Sequence, residues 1–211
     1  MALTTLLWMI AVGFGLGMIW NYENSQEAEQ AAPLRWPAES LTNLVSNRPT
    51  LVMVVHPQCP CTRASIGELA LLMARAQGLV SANVLFFKPA GFPEGWEKTD
   101  LWSSAENIPG VTVVCDEGGI EARRFNQKTS GAVVLYDPNG RLLFTGGITG
   151  SRGHSGENDG RTAIVALLIG EVAKRTQTPV FGCSLVDEYD LCSEGEDLCS
   201  RRGQPWTDTD Q

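Results

Sequence analysis

Two cysteines flank a single proline in the stretch LVMVVHPQCPCTRASIGEL, residues 51–69. Five apolar residues, Leu51 to Val55, run into His56-Pro57, and Cys59-Pro60-Cys61 then leads into a segment patterned as a helix. Proline suits the first position of a helix, because its missing N–H would have had no partner within the helix. Cys59 then falls at the cap, facing unpaired N–H groups and the positive end of the helix dipole, which favour thiolate over thiol. Cys61 follows in the first turn, a second sulfur beside an attacking one. A disulfide closed within C-x-C spans a very small ring, so it is expected to be strained and readily reduced.

The chain has six cysteines and two histidines. His56 stands just before the cysteine turn, and His154 lies in the Gly-rich loop GITGSRGHSGENDG. Either histidine serves as a base or as a stabiliser of the Cys59 thiolate, or both ligate a metal, or both are polar loop residues with no task. Arg152 and Arg161 flank the same loop and read first as solvated surface. Cys183, in TPVFGCSL, sits among apolar residues able to dock back on the domain. It reads as a third redox or ligand sulfur, a buried thiol, or half of a tail disulfide. Cys115 alternates with Val111 and Val113 and is expected to be buried and inert. Cys192 and Cys199 are expected to form a local disulfide. Neither Cys59 nor Cys61 has a threonine three residues before it, as a peroxidatic cysteine would.

The elements that must position these groups follow from periodicity. TLVMVV (50–55) is a continuous apolar run, expected as a strand buried on both faces. Ile66, Leu69, Ala70 and Met73 then recur at helical spacing over 62–77. NVLFFK (83–88), VTVVC (111–115) and AVVLYD (132–137) read as strands, and PNG turns the last of them into RLLFTG as a hairpin. Short helices are expected in EKTDLWSSA and EGGIEARRFN. A longer one is expected after the Gly-rich loop, capped by Asn158 or Asp159, with Ile164, Leu167, Leu168 and Val172 on its apolar face. PAESLTNLVSN (37–47) resembles a short amphipathic helix. The order β-α-β-(α)-β-α-β-β-α predicts an α/β fold with a parallel core and an antiparallel edge.

With 211 residues, the chain is sized for one domain with appendages. Its formal charge of −8 and lack of a basic cluster argue against nucleic acid as a partner. Nothing from Met1 to Tyr22 is charged, and the apolar stretch ALTTLLWMIAVGFGLGMIW, at 1.5 Å per residue, spans roughly 28 Å, about the hydrocarbon core of a bilayer. Residues 1–22 are therefore expected to be a transmembrane anchor or an uncleaved signal, 23–37 a tether, 38–175 the domain, and 176–211 an acidic, cysteine-containing tail. Glu23, Glu27 and Glu29 follow the span before the first basic residue, Arg35, which points the domain away from the cytoplasm. Disulfides form and persist in that compartment.

A strand, a Pro/Cys turn and a cysteine-bearing helix, followed by β-α-β-β-α, resemble the thioredoxin fold. The single span and the half DEGGIEARRFN…SGAVVLYDPNGRLLFTGG resemble its membrane-anchored, extracytoplasmic TlpA and RedB-type members. The resemblance implies a mixed sheet flanked by helices and thiol–disulfide exchange with protein thiols or disulfides outside the cytoplasm, without a cofactor. Cys59 would attack, and Cys61 or Cys183 would resolve the mixed disulfide, with His56 assisting. The chain departs from that family in having C-P-C for C-x-x-C, and Ser130-Gly131 where a proline usually faces the cysteines. Two other readings stand beside it. One is a copper or other soft-metal carrier using Cys59, Cys61 and one or both of His56 and His154. The other is a non-catalytic assembly factor on the same fold.

Overall fold

The computed structural model describes residues 2–25 and 31–185. Helix α1 (Ala2–Glu23) is apolar all round, with none of its residues buried, and is long and apolar enough to cross a membrane. The domain alternates strands and helices: β1 (Thr50–Val55), α2 (Pro60–Arg75), β2 (Ser81–Lys88), α3 (Asp100–Glu106), β3 (Val111–Glu117), α4 (Ile120–Arg124), β4 (Ala132–Tyr136), β5 (Leu142–Gly147) and α5 (Asp159–Leu168).

The strands form one sheet in the order β3-β2-β1-β4-β5. β1 lies at its centre, parallel to β2 and antiparallel to β4, with Val54 opposite Leu85 and Val52 opposite Val134. All six residues of β1 are buried, as its unbroken apolar run requires. Successive side chains alternate between the faces of a strand. Leu51, Met53 and Val55 accordingly join Phe86, Leu69, Leu72 and Ile164 in one core, while Val52 and Val54 join Phe87, Phe125, Tyr136 and Leu185 in the other. The hairpin turn is set by Asp137, whose Oδ1 accepts from Asn139 N at 2.9 Å and Arg141 N at 2.8 Å.

Several local expectations are corrected. Residues 37–47 are not a helix. Glu121 ties them down instead, its carboxylate accepting from Ser40 Oγ at 2.7 Å and Leu41 N at 3.1 Å, and Leu41 points to solvent. Residues 31–37 are not a loose tether. Trp36 packs edge-on against Phe125 and Tyr136 at 5.0 and 5.3 Å, Tyr136 donates its hydroxyl to Pro33 O at 2.9 Å, and Leu142 N donates to Leu34 O at 3.1 Å. This strap covers the sheet face on which, among the described residues, the helix is the short α4. Helix α5 ends at Leu168, so Val172 lies beyond it and is exposed. Cys115 is exposed rather than buried. β3 is one of the two edge strands, and Val111 and Val113 are partly buried against the core whereas Cys115 is not part of it. Cys192 and Cys199 lie outside the described residues.

Candidate functional site

The central strand delivers the chain to the cysteine turn. Cys59 is the N-cap residue of α2 in extended conformation (φ −80°, ψ 124°), with Pro60 at the start of the helix. Its backbone N donates to His56 O at 3.2 Å, and its carbonyl accepts from Thr62 N at 3.0 Å. Cys59 and Cys61 are both buried.

The third sulfur arrives from the far end of the domain. The Sγ of Cys183 lies 2.7 Å from that of Cys59, 124 residues away in sequence, and the Sγ atoms of Cys59, Cys61 and Cys183 all fall within 4.8 Å of one another. All three are free thiols. Cys183 is held by a short ladder beside the turn that precedes β4. Ser130 N donates to Cys183 O at 2.8 Å, Leu185 N donates to Lys128 O at 2.8 Å, and Thr129 pairs with Ser184 in antiparallel sense. Gly182 permits that approach, because a Cβ there would collide with the Ser130 carbonyl, its carbon 2.9 Å away. Arg152 also fastens the segment, its Nη1 donating to Gly182 O.

Ser130-Gly131 occupies the place where the resemblance expects a proline. Gly131 has φ +89°, a conformation closed to proline, whose ring holds φ near −65°. Its N donates to Val54 O at 2.8 Å. The Ser130 hydroxyl accepts from His56 N at 2.9 Å and shares a hydrogen bond with Thr62 Oγ1 at 2.8 Å. The serine thus ties the pre-β4 turn to both ends of the cysteine turn.

The environment treats the sulfurs unequally. Burial pushes the Cys59 thiol up, but the Cys183 S–H and the main-chain N–H groups of Cys183, Cys61 and Thr62 together outweigh it and hold Cys59 below the ordinary thiol value. Burial, then the neighbouring Cys59 charge, raises Cys61. Burial and the hydrogen bond to Cys59 push Cys183 up to about 12. The surroundings thus favour the anion on Cys59 over Cys61 and Cys183.

Neither histidine joins the sulfurs. His56 stacks on Phe87 at 5.8 Å with 28° between the planes and meets Trp96 edge-on at 5.8 Å. Its Nδ1 accepts from Gln58 N at 3.2 Å, bracing the turn. His154 is exposed on its loop. Among the described residues, the group of ligand type at this site is Cys59, Cys61 and Cys183.

The two loop arginines are not solvated bystanders. Arg161 is buried against Glu68 of α2, which is itself wholly buried. Glu68 also accepts from Gly156 N at 2.8 Å and Asn158 Nδ2 at 3.1 Å, while Asn158 Oδ1 caps α5 through Arg161 N at 2.8 Å. This network pins the Gly-rich loop to α2. Arg152, on the pinned loop, reaches the end of α1: its N donates to Glu23 O at 3.1 Å and its guanidinium lies 5.2 Å from the Tyr22 ring centre. A cleft opens there, lined by Pro60, Cys61 and Cys183 on one side and by Met18, Ile19 and Tyr22 on the other. The sequence carried no sign of the Glu68–Arg161 pair beyond a lone acid near the apolar stripe of a helix.

The sheet order β3-β2-β1-β4-β5, in which β4 alone runs opposite to the other four strands, makes this a thioredoxin-like fold with the cysteine turn at the end of its central strand. No protein-family model and no curated protein matches the chain. Among solved structures it is similar to a hypothetical protein from Sinorhizobium meliloti, at 21% identity and TM-score 0.57 over 76% of this chain and 93% of that one. It is similar also to an uncharacterized conserved protein from Geobacillus kaustophilus, at 21% identity and TM-score 0.56 over 77% and 90%. A secreted Mycobacterium tuberculosis disulfide oxidoreductase matches at 16% identity and TM-score 0.43 over 60% and 84%, a likeness too slight to carry an argument about activity.

Proposed function

We propose that the protein is a membrane-anchored, extracytoplasmic thiol–disulfide oxidoreductase whose attacking sulfur is Cys59. The observation that carries this reading is the 2.7 Å approach of Cys183 to a thiolate-favouring Cys59 at a helix N-terminus. The Cys59 thiolate attacks one sulfur of a partner protein's disulfide. A mixed disulfide forms, and the partner's other sulfur leaves as thiolate. Cys183 then attacks Cys59, giving up its proton to the departing sulfur or to water. The partner leaves with two thiols, and the protein keeps a Cys59–Cys183 disulfide. Two electrons pass to the partner. In the reverse direction the same disulfide oxidises a dithiol.

Cys183 resolves in preference to Cys61. It lies against Cys59 already, whereas closing Cys59 on Cys61 requires the strained C-x-C ring. His56 acts through packing and the Gln58 hydrogen bond, as a positioning residue for the turn. The lack of Lys or Arg between the span and Arg35 supports an outward-facing domain. A reporter active only outside the cytoplasm, fused after Asn47, is expected to be active; activity of only a cytoplasmic reporter there overturns the placement.

The chemistry is tested with the full chain in detergent and a disulfide-bonded protein substrate. Cys59→Ser abolishes reduction. Cys183→Ser accumulates mixed disulfides at Cys59. If Cys61→Ser traps partners and Cys183→Ser does not, the resolving role passes to Cys61. If no variant traps a partner and the wild type reduces nothing, the domain is a non-catalytic assembly factor.

A further inference from the structure

The three sulfurs do more than a two-electron exchange requires. One attacking and one resolving thiol suffice for it, yet a third is held in the same group, within 4.8 Å. Each is fixed by a different part of the fold. Cys59 is set by the helix cap, Cys61 by the first turn of α2, and Cys183 by the ladder with 128–130 and by Arg152. Three sulfurs bound in a plane around one ion at bonds of ~2.3 Å stand roughly 4 Å apart. The group brackets that spacing, from 2.7 Å between Cys59 and Cys183 to a ceiling of 4.8 Å.

We propose that the reduced protein binds one monovalent copper ion through Cys59, Cys61 and Cys183, with no histidine ligand. Thiolates select soft cations, Cu(I) foremost. Structural zinc sites close with four protein donors; among the described residues no imidazole or carboxylate joins these three sulfurs. Ile19, Tyr22 and Pro60 line the adjoining cleft, and its further soft donor, the Met18 thioether, would keep any wider shell sulfur-only. Binding displaces the remaining thiol protons to solvent. Three thiolates and one Cu(I) leave a net charge of −2, which the nearby Arg152 guanidinium partly offsets. The site exists only in the reduced state, because a Cys59–Cys183 disulfide consumes two of its ligands. Copper loading and thiol exchange therefore exclude each other.

The inference uses the sulfurs of the exchange reading but not its chemistry, and one experiment separates the two. Reduced full-length protein in detergent is titrated anaerobically with Cu(I) against a competing Cu(I) chelator, and X-ray absorption reads the ligands. The expected result is one copper per chain in a sulfur-only, three-coordinate shell, together with protection of all three thiols from alkylation. Cys61→Ser and Cys183→Ser each weaken binding at least ~tenfold, while His154→Ala changes it less than about twofold. Nitrogen in the shell, Cys183→Ser binding as tightly as wild type, or Zn(II) displacing Cu(I) at equal concentration each overturns the site. Wild type that exchanges disulfides but takes up no copper sinks this inference alone. Wild type that binds copper as described but exchanges nothing sustains it and sinks the exchange reading.

Discussion

Gly182→Ala is the change that most directly tests how the third sulfur is delivered. A Cβ at residue 182 would run into the Ser130 carbonyl and stand 3.4 Å from Thr129 Cγ2. The backbone of residues 129 and 130 cannot give way freely, because Gly131 N is bonded to Val54 O of the central strand. Docking of the segment gains the burial of Leu185, worth roughly 1.5–3 kcal/mol, and two backbone hydrogen bonds at roughly 0.5–1.5 kcal/mol each. Ordering the backbone over Gly182 to Leu185 costs roughly 1–2 kcal/mol per residue, so gain and cost are of similar size and a small perturbation shifts the balance. Overpacking by one methyl costs roughly 1–3 kcal/mol, which lowers the docking equilibrium constant about 5- to 150-fold. The assay is mild oxidation of the reduced protein followed by proteolysis and mass spectrometry of the linked peptides. The ratio of Cys59–Cys183 to Cys59–Cys61 linkage is expected to fall at least ~tenfold in Gly182→Ala, with the cooperative unfolding of the domain retained. An unchanged ratio in a folded variant would refute the reasoning, because it would mean that Cys183 reaches Cys59 without the ladder.

Cys59 should alkylate with a midpoint below that of an ordinary thiol, and Cys61 and Cys183 with midpoints above it. A lowered pKa leaves more thiolate at a given pH, so the Cys59 rate persists as pH falls; Cys183→Ala removes the S–H donor and should move that midpoint upward, and similar profiles for all thiols would count against an activated Cys59. Arg161→Met leaves the Glu68 carboxylate buried without its cation, so urea unfolding should show a loss of roughly 3–5 kcal/mol; a loss under about 1 kcal/mol would mean that Glu68 finds water or another partner. Trp36→Ala removes a half-buried ring from its edge contacts with Phe125 and Tyr136 and should cost about 2 kcal/mol, whereas a tether free of the domain predicts no effect.

Local pattern sufficed wherever the physics is local. The apolar run 50–55 specifies a strand covered on both faces whatever covers it, and Pro60 specifies a helix start because its constraint lies in its own ring. The placement of Cys59 at a cap follows from those two facts, as does the alternation of elements that builds a thioredoxin-like sheet. Neighbours distant in sequence decided the rest. Residues 37–47 have helical spacing, but Glu121 captures their polar groups. Cys115 alternates correctly, yet its exposure depends on β3 being an edge strand. Arg161 became a core residue because Glu68 on another helix supplies its counter-charge. The sulfur beside Cys59 is likewise a matter of tertiary structure. Cys61 is near by covalent necessity, but its bond angles oppose a ring with Cys59. Cys183 is near because Gly182 lets the segment 182–185 lie against Ser130. Sequence alone determined that a cysteine caps the helix; long-range pairing of the backbone decided which sulfur it meets.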